Sequence, residues 1–249
     1  MMTTTIRPDG APGVEQLVLP GQTAAPAGPV DPAGMYLMHH AFRRDLALFT
    51  AATAATPAGD RACWKRLQRR WALFSGVLHK HHHGEDTGLW PLLLARTAGG
   101  EDAAVLHAMT AEHEHIDPLL QACGDGFSAL AAGAAGAADT RAALAGHVTE
   151  LRDRLQAHLA HEERDAMALV QTYLTQHDWE RLDKEHFSPD YSPREVPAVL
   201  AWVVYGLPPH AVRKIPGGPV LHALGRLLVR RFARAERRTF RYVAPAAAA

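Results

Sequence analysis

Apolar residues recur at spacings of three and four along four stretches of the chain, and no stretch alternates at period two over the length of a strand. The pattern predicts an all-α protein. A first helix, over about 32–55, opens at Asp31-Pro32, where Asp can cap and Pro fits the first turn, and breaks at Thr56-Pro57-Ala58-Gly59. Its stripe is Met35, His39, Phe42, Leu46 and Phe49. A second helix restarts at Asp60 with Trp64, Leu67, Trp71, Phe74 and Leu78 on one side, and Gly88 and Pro91 kink or end it. The third, over about 101–122 with a bend expected at Pro118, carries Leu106, Met109, His113, Ile116 and Leu120. The stretch GDGFSALAAGAAGAADT reads as a loop, and a fourth helix over about 140–175 carries Leu144, Val148, Leu151, Leu155, Leu169 and Tyr173. Helices joined this closely predict an up-down-up-down four-helix bundle over 31–175.

Residues 1–30 are rich in Pro and Gly and show no apolar period, so they read as a disordered leader. Residues 176–249 read as a helical extension: HDWERLDKEHF as a short helix, EVPAVLAWVVYGL as a buried one, and the last as an amphipathic helix with Leu221, Leu224, Leu228 and Phe232 on one side. Between 210 and 243 there are nine Lys or Arg and one acid, Glu236. This local basic face suits an anionic membrane, nucleic acid or an acidic partner, but a helix packed over the bundle with a solvated basic back is the simpler reading. The whole chain balances 26 basic against 26 acidic residues, which gives no general field for nucleic acid. Cys63 and Cys123 stand alone, with no disulfide framework or thiolate metal motif around them, and fit a reducing, cytoplasmic setting. No signal peptide or membrane span is read, since the longest apolar run is too short to cross a bilayer.

The chemistry lies in the sixteen histidines. Continuing the second helix's stripe gives His81 and Glu85; continuing the fourth gives His158 and Glu162. With His39 and His113, every helix of the bundle sends a histidine inward. Burying carboxylates and imidazoles costs several kcal/mol unless partners neutralise them, and a metal does so. Positions i and i+4 differ by only about 40° in azimuth, so His81 with Glu85 and His158 with Glu162 can each aim a nitrogen and an oxygen at one point. Two helical hairpins would then meet about a pseudo-twofold axis. Four imidazoles and two carboxylates suit two iron ions bridged by carboxylate, with manganese or zinc as possible substitutes.

The segments MHHAFRRDL, HHHGEDTGLWPLL, AEHEHIDPLL and HLAHEERDAM, in that order and phase, resemble the hemerythrin-like family of HHE cation-binding domains over about residues 33–175. The resemblance implies a non-haem di-iron centre that binds O2, or that takes part in O2, NO, peroxide or iron sensing and stress responses. One position departs from the family. O2-carrying members place a fifth histidine four residues before the third helix's ligand, where this chain has Met109. Fewer protein ligands leave more exchangeable positions on iron, which favours redox reaction with a small oxidant over stoichiometric O2 carriage.

Competing assignments stand beside this set. His79, His82 and His83 lie off the stripe and read as a solvated face. His40 and His115 are alternatives to His39 and His113, and Asp86, four residues after His82, would replace Glu85 after a one-residue phase error. Tyr36 reads as a core aromatic. Ferritin-like Glu-x-x-His pairs have one candidate, Glu112 to His115, and no zinc-protease helix motif or phosphate loop occurs. The sequence thus predicts a binding or sensing di-iron protein; a di-iron oxidase or peroxidase is the enzymatic alternative, and a helical interaction protein acting through its basic C-terminal helix is the structural one.

Overall fold

The structure, a computed structural model, describes residues 14–215 and 219–244. Among these the chain is helical and has no strand. The bundle consists of α1 (Ala33–Ala55), α2 (Arg61–Gly84), α4 (Gly100–Ala132) and α5 (Ala137–His161), with a short α3 (Trp90–Leu94) between α2 and α4 and α6 (Met167–Tyr173) after α5. Helix α2 packs on α4, α4 on α5 and α5 on α1. Phe42, Phe49, Trp71, Phe74 and Phe127 interlock edge to face and tilted in one half of the interior.

Local chemistry sets several boundaries. Asp60 caps α2 by accepting from the Cys63 N–H. The loop expected over 124–140 is mostly helix: Cys123, Phe127 and Leu130 keep the buried phase of α4, alanine favours helix, and the turn waits for Gly133, whose φ of 77° suits glycine. Pro118 lies inside this helix and does not end it. The fourth predicted helix is divided, because a π-helical turn at Glu162–Ala166 separates α5 from α6. A matching turn at Glu85–Leu89 follows α2.

The expected disordered leader needs correction over residues 14–30. Leu17, Leu19, Ala25 and Val30 are buried, and Gln171 both accepts from the Val30 N–H and donates to its carbonyl. This segment has no regular structure to give it a period, so its apolar side chains dock one at a time. Residues 1–13 of the leader lie outside the described residues.

The extension packs on the bundle through α7 (Gln176–Leu182), α8 (Val196–Val204), the short α9 (Pro209–Val212) and α10 (Pro219–Thr239). A capping box between Thr175 and Asp178 opens α7. Helix α10 lies against α8 and α2 with Glu236, Thr239 and Phe240 buried, while Arg230, Arg231, Arg234, Arg237 and Arg238 face solvent. Of its predicted apolar side, Leu228 and Phe232 are half-buried, and the side chains of Leu221 and Leu224 lie outside the described residues. Glu236 accepts from Arg70 Nε at 2.8 Å, Arg70 donates to Asp45 at 2.6 Å, and Trp202 of α8 donates to the same Asp45 oxygen at 2.7 Å. Arg44 adds a further bond to Asp45 at 2.9 Å. Asp45→Ala would leave buried Arg70 with Glu236 as its remaining carboxylate and strand the Trp202 indole N–H, so it should cost about 3 kcal/mol in a denaturant titration. An exposed control, Glu150→Ala, should cost less than about 1 kcal/mol.

Candidate metal centre

In the interior of the bundle, near the start of α1 and the ends of α2 and α5, His39 of α1, His81 and His82 of α2, His113 of α4 and His158 of α5 are all buried, with Glu85 and Glu162 fully so. Their ligand atoms form two adjoining groups, His39, His81, Glu85 and Glu162 in one and His82, Glu85, His113 and His158 in the other, with the atoms of each group within 4.8 Å of one another. Each helical hairpin supplies a facing imidazole pair. His39 Nε2 lies 3.2 Å from His81 Nε2, and His113 Nε2 lies 3.1 Å from His158 Nε2.

The carboxylates join the two groups. Glu85 places one oxygen 3.0 Å from His81 Nε2 and the other 3.5 Å from His113 Nε2. Glu162 places one oxygen 3.2 Å from His39 Nε2 and 4.0 Å from His158 Nε2. Each acid is the first residue of a π-helical turn, so the widened backbone begins where the side chain must reach between hairpins.

The outer nitrogens explain why the inner ones converge. His39 Nδ1 lies 3.0 Å from Glu163, His113 Nδ1 2.9 Å from Asp86, and His158 Nδ1 2.8 Å from Glu112. A carboxylate on Nδ1 fixes the tautomer and aims Nε2 inward. Glu163 is itself held: Arg43 donates to both its oxygens at 2.6 and 3.1 Å, and the Gln22 side chain and Thr23 N–H of the leader donate to it as well. Glu112 also engages His161 Nδ1, and Thr110 donates to Asp86.

Electrostatics follow from this crowding. Burial would push the His39 pKa down, but Glu162 and Glu163 outweigh it and hold it at about 9. Burial and the neighbouring His39 charge press His81 down to about 3. Burial and then Glu162 drive Glu85 well above the carboxylate range; Glu162 is drawn down to about 2 by His39 against its own burial. Both His82 nitrogens and all four oxygens of Glu85 and Glu162 are buried without a hydrogen-bond partner among the described residues. Buried polar atoms left without a partner cost several kcal/mol unless a cation meets them, and imidazole with carboxylate suits iron, manganese or zinc. The residues fit a pair of metal ions.

The model for the hemerythrin HHE cation binding domain matches residues 33–170, more than half of the chain. The chain belongs to this family. Neither a curated protein nor a solved structure matches it significantly. The HHE domain here brings His39, His81, Glu85, His113, His158 and Glu162, the six residues singled out from the sequence, into these two groups. The reading of His82 as solvated is overturned. It is 3% exposed and stacks on His113 with ring centroids 3.9 Å apart, whereas His79 and His83 are exposed and stack on each other. The signal was present: His82 lies four residues past Leu78, beside the stripe and on the wider face that α2 buries. His40 is half-buried and outside both groups, and His115 is exposed and bonds back to the Ala111 carbonyl. Asp86 stands behind His113, outside both groups. Met109 is fully buried one turn before His113, and Tyr36, also buried, donates weakly to the Glu163 carbonyl at 3.4 Å.

Glu163, Glu112 and Arg43 escaped sequence reading because each meets its partner across more than forty residues. Glu163→Gln keeps the shape of the side chain and removes the charge that orients His39. Iron affinity in a competition titration with a chelator should fall about 10–100-fold, with no change in helical content.

Proposed function

We propose that this HHE domain binds two iron ions, that His39, His81, Glu85 and Glu162 would hold one and His82, Glu85, His113 and His158 the other, and that the centre binds or reacts with O2, NO or peroxide in an oxygen, redox or nitrosative stress response. The observation that carries this reading is the pair of fully buried carboxylates with no hydrogen-bond donor among the described residues, each lying between imidazoles of both hairpins. Bound iron in such a set supplies one-electron redox steps and an exchangeable position for a diatomic ligand or peroxide.

The chain's own residues do the rest. Glu163, Asp86 and Glu112 keep the outer imidazole nitrogens protonated and the inner ones free. Phe42, whose ring lies 5.2 Å from that of His81, and Met109 present apolar walls that keep bulk water from the centre. His82 supplies the fifth imidazole that Met109 does not, so the shortage of protein ligands read from position 109 is made good from α2. That favours reversible ligand binding over turnover.

Iron per chain and the optical spectrum of anaerobically purified protein test the proposal. About two irons, an oxo-bridged absorption after exposure to O2, and loss of both in His81→Ala and His158→Ala are expected. Absence of metal, or metal that survives both substitutions, would refute it. Repeated consumption of O2 or peroxide with a reductant would move the reading to an oxidase or peroxidase.

A further inference from the structure

A cleft of about 720 Å³ opens between α1 and the extension. Its walls include Met35 and Met38 of α1, Trp179 of α7, Phe187, Tyr191 and Val199 of α8, and His81 of the metal-binding group is among the lining side chains. Most of this wall comes from residues beyond 170, where the match to the family domain ends. The extension therefore adds to the bundle something other than a cover.

We infer that this cleft is a binding site for a neutral, apolar small molecule, an arene or a medium-length hydrocarbon chain, seated against His81. Size and lining fit such a ligand: sites for organic molecules usually enclose about 300–1,000 Å³ and are walled by aliphatic and aromatic groups. Charge narrows the class. The charged side chains at the cleft are Glu180, Asp183 and Lys214, and Lys214 is held by Asp31 at 3.0 Å and by the Glu15 carbonyl at 2.8 Å. An anionic ligand would meet two carboxylates and a cation already paired. A strongly cationic ligand would lose its hydration against thioether, indole and phenyl surfaces. An uncharged apolar molecule meets neither cost.

The cleft is a property of the folded chain, and only its closeness to iron rests on the di-iron reading. N-phenyl-1-naphthylamine, a neutral fluorophore, is titrated into the full chain, metal-free and iron-loaded, and 4-fluorobiphenyl is followed by 19F NMR in iron-loaded and zinc-loaded protein. Saturable fluorescence enhancement is expected in both metal states. It should weaken about tenfold or more in Val199→Trp, which fills the cleft, and in Met38→Glu, which charges it, in protein that retains wild-type circular dichroism. The 19F line should broaden several-fold more with iron than with zinc. No saturable binding, or binding indifferent to both substitutions, would overturn the inference; equal broadening with iron and zinc would remove the ligand from His81 and overturn it too. Probe binding by a chain that takes up no iron would refute the di-iron reading and leave the cleft standing.

Discussion

Replacing His82 with alanine is expected to lower bound iron from about two ions per chain to about one, while His79→Ala and His83→Ala leave the content unchanged. The three histidines lie within five residues of one another in α2, so the contrast tests helix phase and not local composition. His82 has both nitrogens buried and unpartnered, and its ring stacks on His113 at an interplanar angle of 9°. Without it, the group on the α4–α5 side keeps His113, His158 and Glu85, whereas the group on the α1–α2 side keeps all its members. Loss of a protein ligand weakens a site by orders of magnitude when its remaining donors are fixed in place. Iron quantified after gel filtration, with Mössbauer spectra resolving two ferric environments in the wild type and one in the variant, makes the check. Unchanged stoichiometry in His82→Ala would exclude it as a ligand.

Stripping the metal should have the largest effect on stability. In the metal-free protein the Glu85 and Glu162 oxygens face imidazoles and each other in a closed interior, and His39 and His113, whose pKa values the neighbouring carboxylates raise, offset them only in part. A metal that binds only the folded chain stabilises it by about 4 kcal/mol when free metal exceeds Kd a thousandfold. For a chain of this size that is roughly 8–16 °C in Tm. Differential scanning calorimetry of iron-loaded protein against protein treated with chelator should show the gap, and Glu85→Gln should close most of it, because this acid reaches both groups. A chelated sample that melts with the loaded one would mean that the cluster is satisfied without metal.

How much of this could be read from the sequence depends on the range of the interaction that fixes each residue. The stripes of α1, α2, α4 and α5 are local and periodic, so the helices and the inward direction of His39, His81, Glu85, His113, His158 and Glu162 could be read from spacing. His82 was missed because a single line drawn through α2 is narrower than the face that α2 buries, which takes in Cys63, Arg70 and Val77 as well. The π-helical turns leave no periodic mark within five residues, and so the second and fourth helices read as continuous through Glu85 and Glu162. Glu163 carries no signal in the sequence, and Asp86 and Glu112, which it offers as ligand candidates, take their place behind His113 and His158 only when the fold sets an imidazole against each. The alanine-rich stretch after Cys123 was read by its glycines, although the buried phase of Phe127 and Leu130 continues through it.

Arg70 belongs to α2, yet its two partners lie on α1 and α10, and the indole of α8 shares one of them. A fragment cut to the segment that the family model matches would keep Asp45 and Arg70 and lose Glu236 and Trp202, and it would uncover Phe42, which packs on Trp202. The smallest autonomous folding unit should then be larger than the segment matched by the family model. Bundle and extension should unfold in one cooperative transition, and limited proteolysis should leave no long-lived core ending near residue 170.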